Sequence, residues 1–330
     1  MQPFFSILIP VYNQVGKMDD CIASLKAQTF GDFEVIFVND GSTDASPEML
    51  AEFCREDARC RVVNHTENRS LLAARYTGMQ NARGRYVLFV DSDDSISTDA
   101  CEKLQAALEK APVDLLRFGY SEEPAGKVSL PEELDCEPVW AVLHNRVTPT
   151  VWKNCYAKAV IDRALERTQP FYCNMSEDVF WGTVFFSCAE SFGLLREVLY
   201  RYEVGNGMST TTSGVSLAKQ QKHYDSILAM GERLSAYIGA YCPQYAEDVR
   251  HKVEQSLKFI LTMSLFNEKD LAHVMDHLYL LRDDERLRFL YEPACRELLP
   301  FLIRKLGGVS ANMLEKVGIH VETLTWFDKE

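Results

Sequence analysis

Short apolar runs alternate with amphipathic segments through roughly the first hundred residues of the chain. The runs predict short buried strands at Phe4–Val11, Phe33–Val38, Arg61–Val63 and Tyr86–Val90. Between them, apolar residues recur at helical spacing, which predicts helices over Met18–Leu25, Met49–Cys54 and Leu71–Ala82. This alternation is typical of βαβ units in a parallel sheet. Because such crossovers are right-handed, we expect the strand ends at Tyr12, Asp40 and Asp91 to share one edge.

The last of these strands ends in a polar cluster with three carboxylates, Asp91, Asp93 and Asp94. Carboxylates this close repel one another unless a cation or a hydrogen-bond donor neutralises them. Oxygen ligands at the edge where open α/β sheets bind ligands suit Mg²⁺ or Mn²⁺ better than zinc. The alternative is a solvated acidic turn that caps the following helix.

The first strand is followed by Tyr12 and Asn13, not by a glycine-rich loop. A dinucleotide-binding fingerprint needs three glycines at this place, but Pro10–Gly16 has one, and no Walker A loop exists. The edge with Tyr12, Asp40 and Asp91 therefore predicts a different nucleotide pocket. In that pocket a ring stacks on the base, a carboxylate accepts a hydrogen bond from the base or ribose, and a metal holds the diphosphate.

Longer segments rich in Leu, Lys, Glu, Gln and Ala replace the short strands beyond about Leu217. Apolar residues there recur near helical spacing, at Val253, Leu257, Ile260, Leu261 and Leu265. We therefore predict an α-helical domain over residues 216–330, after an α/β domain over residues 1–215. The basic, partly apolar segment Arg286–Lys305 would either make a peripheral membrane contact or pack on its own domain or a homodimer partner. We favour packing.

The composition is ordinary for a globular protein, since 47% of the 330 residues are hydrophobic and 25% are charged. A formal net charge of -13 argues against nucleic acid as a partner. The 10 cysteines include no Cys-x-x-Cys pair, so we expect reduced thiols in a cytoplasm rather than a zinc site or disulfides. We find no signal peptide and no run of about 18 apolar residues.

Four motifs resemble those of the family 2 glycosyltransferases, and they lie at Ile9–Asn13, Phe37–Asp44, Asn68–Gly78 and Val90–Asp94. Weaker similarity continues through Val151–Tyr156 and Ser176–Phe180. In the third motif, Ser70 replaces a glycine that is usual in the family. The resemblance implies the GT-A nucleotide-diphospho-sugar transferase fold, which is Rossmann-like with a mostly parallel central sheet. It also implies inverting, metal-dependent sugar transfer, with the nucleotide-sugar half at about residues 1–120 and the acceptor half at about residues 121–215.

The resemblance also implies roles for individual residues. The nucleotide-binding set would comprise Pro10, Tyr12, Asn13, Asp40, Gly41, Ser42, Arg75, Asp91 and Ser92. Within that set, Tyr12 would lie against the base, Asp40 would accept from a base N–H, and Arg75 would help neutralise the diphosphate. Asp93, supported by Asp91, would ligate the divalent metal, Mg²⁺ or Mn²⁺. Asp178, in preference to Glu177, would be the general base.

Asp178 also has a structural interpretation, because Ser176, Glu177 and Asp178 form a typical helix start with a serine cap and acids in the first turn. Both roles can hold together. One carboxylate suffices to activate an acceptor hydroxyl for a single inverting displacement. Two carboxylates flanking the bond would instead suggest hydrolysis, and we recognise no second acid for that purpose.

We therefore expect an inverting, metal-assisted hexosyl- or N-acetylhexosaminyltransferase. Its donor would be a nucleotide-diphospho-sugar, and we favour a UDP-sugar. Its acceptor would be a glycan or lipid-linked glycan in surface polysaccharide assembly, in the cytoplasm or at the inner face of the membrane. The alternatives are a non-catalytic family member that binds a nucleotide-sugar or glycan, and a sugar nucleotidyltransferase. The latter would need a glycine-rich basic loop after the first strand, which this sequence lacks.

Overall fold

A computed structural model of the protein describes residues 2–205, 216–267 and 271–295. In these ranges one sheet contains nine strands: β1 (Phe5–Val11), β2 (Phe33–Asn39), β3 (Cys60–Asn64), β4 (Tyr86–Phe89), β5 (Ser95–Ile96), β6 (Leu115–Glu123), β7 (Lys127–Ser129), β8 (Asn154–Ala157) and β9 (Phe192–Glu203). The helices of the same ranges are α1 (Asp19–Lys26), α2 (Ser46–Glu56), α3 (Leu71–Asn81), α4 (Ala100–Lys110), α5 (Pro138–Leu143), α6 (Lys158–Arg167), α7 (Glu177–Cys188), α8 (Leu217–Tyr241), α9 (Ala246–Asn267), α10 (Leu271–Asp283) and α11 (Arg288–Pro293).

The sheet has the strand order β3-β2-β1-β4-β8-β6-β9-β5, and β7 pairs with β6. The first four strands are parallel, so that Leu8 lies opposite Ile36 on one side and Phe89 on the other. β8 then pairs antiparallel with both β4 and β6, and β6 runs parallel to β9. The predicted parallel sheet is confirmed for β3, β2, β1 and β4, whereas the second half of the sheet is mixed.

The apolar runs become central strands because both of their faces are covered. All residues of β1 and β2 are buried, including the side chains that point to opposite faces. The edge strand β3 is only partly buried. β1 and β2, which position the predicted site, are therefore deeply buried. The loops at their ends are anchored on this rigid core.

The predicted helical C-terminal region is present as α8 to α11, and Leu257, Ile260, Leu261 and Leu265 are buried. By its contacts the chain divides into two compact units, residues 1–210 with 226–253, and residues 211–225 with 254–330. The domain boundary at residue 215 stays a prediction. Residues 296–305 of the basic segment lie outside the described ranges. No helix within those ranges is long and apolar enough to cross a membrane.

Candidate active site

Three neighbouring strands end at one edge of the sheet, and predicted site residues follow each of them. β1 lies between β2 and β4, and all three run parallel. Tyr12 and Asn13 follow β1, Asp40 follows β2, and Asp91 lies just beyond β4. The topology therefore gathers these strand ends at one edge, as expected from the alternation of strands and helices.

The guanidinium of Arg75, in α3, contacts three carboxylates. Nη2 donates to Asp91 Oδ1 at 2.7 Å, while Nη1 donates to Glu177 Oε1 at 2.6 Å and to Asp178 Oδ1 at 2.9 Å. The Arg75 side chain is 1% exposed. Little water can screen these charges, so each pair is strongly coupled to the others. One arginine thus joins α3, the end of β4 and the first turn of α7.

The three carboxylates around Arg75 differ in accessibility. The side chains of Asp178 and Asp91 are 27% and 24% exposed, whereas that of Glu177 is 8% exposed. A substrate can therefore reach Asp91 and Asp178 from solvent, while Glu177 lies on the inner side of the arginine. This difference distinguishes the two acids that the sequence left as alternatives.

Electrostatics at this cluster favour protonation of the acids. Burial, and next the adjacent Asp178, raises the pKa of Glu177 to about 8, although Arg75 opposes the shift. Burial also raises the pKa of Asp178 against the opposing charge of Arg75. Three acids share one guanidinium, so full ionisation of all three is disfavoured, and protonation of one of them relieves their repulsion.

The acidic turn after β4 divides into outward and inward carboxylates. Asp94 is buried, and it accepts hydrogen bonds from the Tyr200 hydroxyl at 2.6 Å and from the Glu203 backbone N–H at 2.8 Å. The Tyr200 hydroxyl also accepts from the Asp91 N–H at 3.1 Å. Within the described residues, no other side chain donates a hydrogen bond to the Asp93 carboxylate. Burial, and next the charge of Asp91, raises the pKa of Asp93.

The loops after β1 and β2 hold each other through backbone-to-side-chain hydrogen bonds. The Asn13 N–H donates to Ser42 Oγ at 3.0 Å, and the Gln14 N–H donates to Ser46 Oγ at 2.9 Å. Tyr12 remains 44% exposed beside these contacts. The two fixed loops thus present the exposed ring of Tyr12 at the sheet edge, where the sequence analysis expects the base of the nucleotide to bind. Ser46 was not among the predicted site residues, because its partner Gln14 is distant in the sequence.

Two residues of the predicted nucleotide-binding set are buried. Pro10 lies inside β1, opposite Val38 of β2, and Ser92 is 4% exposed. Their side chains belong to the packed base of the site in this structure. Their predicted contacts with a nucleotide stay predictions.

Asp40 organises the backbone that leads into α3. Its Oδ1 accepts from the Arg69 N–H at 2.9 Å and contacts His65 Nδ1 at 2.6 Å, and its Oδ2 accepts from the Ser70 N–H at 2.9 Å. Gly41 follows with a φ of +69°, and a Cβ there would lie 2.4 Å from the Glu67 carbonyl carbon, so only glycine fits. These contacts explain the buried Asp40 carboxylate without a ligand, and its predicted contact with a base stays untested.

The segment before α7 is held by side chains that the sequence analysis missed. Ser176 does not cap the helix as predicted, since it adopts a left-handed conformation with a φ of 64° and makes no side-chain cap bond. Instead, Asn174 Oδ1 accepts from the Leu71 N–H at 2.8 Å, and Ser226 Oγ accepts from the Asn174 N–H at 3.0 Å. Ser70 Oγ accepts from the Cys173 N–H at 3.0 Å.

Ser70 itself has a φ of 91°, a region where a non-glycine residue is strained. This conformation gives a physical reason for the glycine that is usual at this position in the resembling motif. The sequence offered that departure as a signal. The hydrogen bonds of the serine side chain, however, are made with Phe171 and Cys173, about a hundred positions later in the chain.

A mixed α/β sheet with acids at the ends of parallel strands, followed by helices, defines a GT-A glycosyltransferase fold. In fold, the chain is similar to the structure of S. aureus TarS 1-349 in complex with UDP-GlcNAc, with a TM-score of 0.59 over 99% of this chain and 93% of that one at 19% identity.

The model of Glycosyl transferase family 2 matches residues 6–154. Among the relatives, the uncharacterized glycosyltransferase EpsJ of Bacillus subtilis is 28% identical over 92% of this chain and 95% of its own length. The putative glycosyltransferase EpsH of the same organism is 30% identical over 72% of this chain and 69% of its own length. The chain belongs to glycosyltransferase family 2, and it is a transferase, as the four motifs predict.

Proposed function

We propose that this glycosyltransferase moves one sugar, with inversion, from a nucleotide-diphospho-sugar to a hydroxyl of a glycan or lipid-linked glycan in surface polysaccharide assembly. The observation that carries the proposal is the cluster of Asp91, Glu177 and Asp178 around the buried Arg75, at the strand ends where the sheet presents Tyr12 and Asp93. In that cluster one guanidinium holds the partly exposed Asp178 beside two further acids.

The donor we propose first is a UDP-sugar. The exposed ring of Tyr12, on a loop fixed by Ser42 and Ser46, can stack on a planar base. The similar fold of TarS, described in complex with UDP-GlcNAc, supports this choice. Ring stacking alone tolerates several bases, so the choice between nucleotides is left to the measurement below.

The residues at the acidic turn fit a divalent metal ion such as Mg²⁺ or Mn²⁺. Asp93 offers a carboxylate that no other described side chain satisfies, and Asp91 offers its second oxygen beside Arg75. The described residues contain no cluster of three or more acids, histidines or cysteines built for a metal. This suits Mg²⁺-type sites, which use one or two carboxylates and the substrate's phosphates. When bound, the ion would stabilise charge on the departing diphosphate.

Asp178 is the residue we propose as general base. It is the more exposed acid at the start of α7, and Arg75 Nη1 donates to its Oδ1 at 2.9 Å. A raised pKa brings the carboxylate closer to the pKa that general-base catalysis favours near neutral pH. It can then take the proton from an acceptor hydroxyl as that oxygen attacks the sugar.

Arg75 acts in this proposal as a positioning residue. Its Nη1 donates to Glu177 and Asp178, its Nη2 donates to Asp91, and its side chain is 1% exposed. It keeps the base oriented and limits the repulsion among the acids. The diphosphate contact implied by the family resemblance remains a prediction that the present contacts do not require.

A thermal-shift screen of UDP-, GDP- and dTDP-sugars, each with and without Mn²⁺, tests the donor and the metal together. We expect one nucleotide-sugar to raise the melting temperature, with a larger shift when Mn²⁺ is present, because a ligand stabilises the state that it binds. Release of the nucleotide from that donor, followed by chromatography, then reports turnover. Absence of a shift with every donor would contradict the proposal.

A further inference from the structure

Tyr172 is an exposed aromatic residue close in sequence to Asp178, the proposed general base. It lies between α6 and α7, and 57% of it is exposed. Its neighbours Phe171 and Cys173 are half-buried and buried. Phe171 packs edge-on against Phe180 of α7, with 5.1 Å between ring centroids. The loop is therefore anchored on both sides of a ring that remains in water.

The backbone around Tyr172 is fixed from two directions. On one side, the first turn of α3 donates to this loop, from the Leu71 N–H to Asn174 Oδ1 at 2.8 Å and from the Leu72 N–H to the Cys173 carbonyl at 3.2 Å. On the other side, Ser226 Oγ of α8 accepts from the Asn174 N–H at 3.0 Å. The loop consequently has little freedom to fold its exposed ring inward.

The ring itself is also oriented. Asn174 Nδ2 donates to the Tyr172 hydroxyl at 3.0 Å, while the Oδ1 of the same amide accepts from Leu71. One asparagine thus ties the tip of the tyrosine to the start of α3. A large ring that is both exposed and held in one orientation loses little entropy when a ligand covers it.

This ring lies near the proposed chemistry. Leu71 and Arg75 are separated by one turn of α3, roughly 6 Å along the axis. Helical side chains lean toward the N-terminus of their helix, so Arg75 leans toward the end of α3 that holds Asn174. Arg75 in turn contacts Asp178 at 2.9 Å. Tyr172 is thus placed near the N-terminal end of α3, the end toward which Arg75 leans.

We infer that Tyr172 forms an acceptor subsite that binds a pyranose ring by stacking. This inference rests on the proposed function, and it specifies the acceptor as a carbohydrate whose ring covers the tyrosine. The C–H face of a pyranose is apolar, so stacking removes apolar surface of both partners from water. The fixed hydroxyl at the ring's edge adds a polar contact for the sugar's own hydroxyls.

Ligand-observed NMR with methyl β-pyranosides of glucose, galactose and N-acetylglucosamine tests the subsite on the full chain. We expect the wild-type protein to bind at least one of them, and Tyr172→Ala to weaken that binding roughly tenfold, as the loss of one stacked ring would. Tyr172→Phe, which keeps the ring, should retain most of the affinity. Phe259→Ala serves as the matched control, because Phe259 on α9 is 56% exposed.

The outcomes separate this inference from the proposed function. Equal pyranoside affinity in Tyr172→Ala and wild type, or no binding by wild type, overturns the subsite. A weaker thermal shift of Tyr172→Ala with the nucleotide-sugar also overturns it, because the ring would then serve the donor. If wild type shows no shift with any nucleotide-sugar, the proposed function fails, whatever the pyranoside result.

Discussion

Arg75 shows how one buried side chain can determine the electrostatics of a site. It is 1% exposed and contacts Asp91, Glu177 and Asp178. Burying a guanidinium costs free energy that only well-formed ion pairs offset. The guanidinium of Arg75 holds all three acids in place and also reduces the repulsion among them. Its removal should therefore affect all three.

Replacing Arg75 with methionine should lower the free energy of unfolding by about 3–5 kcal/mol, since the buried Glu177 and the partly exposed Asp91 and Asp178 would all lose their partner. Urea denaturation at neutral pH measures this loss. Arg196→Met is the control, because the side chains of Arg196 and its partner Glu133 are 55% and 71% exposed, and exposed pairs contribute at most about 1 kcal/mol. Equal effects of the two substitutions would contradict the proposed importance of the buried arginine.

Asp178→Asn should abolish transfer while leaving donor binding intact, because the amide keeps the shape of the side chain but cannot take a proton. Loss of a general base costs roughly 100- to 10,000-fold in rate. Nucleotide release reports turnover, and thermal shift with the donor reports binding. Asp19→Asn, at an exposed first-turn acid of α1, is the control. Unchanged turnover in Asp178→Asn would remove this residue from the mechanism.

The rate should also fall as the pH is lowered, at a higher pH than an ordinary aspartate would cause. Burial raises the pKa of Asp178, and the base acts only when ionised, so its activity is lost as pH drops through that raised pKa. Profiles of kcat and of donor affinity against pH separate the base from binding. A rate that stays level down to about pH 4, the usual range of aspartate, would contradict this assignment.

The sequence predicts well those site residues that follow a strand directly. Tyr12, Asp40 and Asp91 are found at one edge because apolar runs and right-handed crossovers are local signals. It does not predict that Arg75 meets acids that lie 102 and 103 positions later, nor that Tyr200 bonds to Asp94. Such contacts depend on how separate elements pack, and periodicity contains no information about that.

Among the elements, α7 positions the proposed base through close packing as well as through charge. At Gly182 in this helix, an added Cβ would lie 2.6 Å from the Pro149 carbonyl oxygen. Pro149 lies in the segment that connects α5 to β8, so α7 packs directly against this segment. The Pro149 backbone therefore approaches α7 so closely that only glycine fits at position 182.

Gly182→Ala should destabilise the protein by about 1–3 kcal/mol, as overpacking does, and should lower turnover because α7, which carries Asp178, must shift. Thermal denaturation and nucleotide release measure the two effects. Gly239→Ala in α8 is the matched control, since a Cβ there meets nothing within 4 Å and should stabilise the helix by about 0.5–1 kcal/mol. Similar melting temperatures for both variants would refute the packing argument.

The pattern of apolar and polar residues predicts β1 to β4 and the helices between them, but it predicts less of the rest of the sheet. Each of these strands is a continuous apolar run followed by a helix, so it can be recognised from its own residues. β5 has two residues and β8 has four, and both pair antiparallel with strands distant in sequence. Their existence follows from tertiary pairing, for which short segments give no distinct signal.

For the whole molecule, removal of divalent metal should stop transfer without unfolding the chain. In the ranges that the structure describes, the core is built of apolar side chains and no metal-binding cluster of three or more ligands supports it. EDTA should therefore abolish nucleotide release, and excess Mn²⁺ should restore it. The melting temperature of the donor-free protein should stay unchanged. A chelator that lowers this temperature would show that a metal holds the fold itself.

The contacts of Arg75 bear on how short a working version of this enzyme can be. The family match ends at residue 154, but two of the three acids that hold Arg75 come later in the chain, and Ser226 holds the segment that leads to them. A fragment that ends where the match ends would retain the acids at the strand ends. In that fragment the buried Arg75 would keep only one of its three acidic partners, Asp91. The smallest catalytic unit must therefore extend into α8.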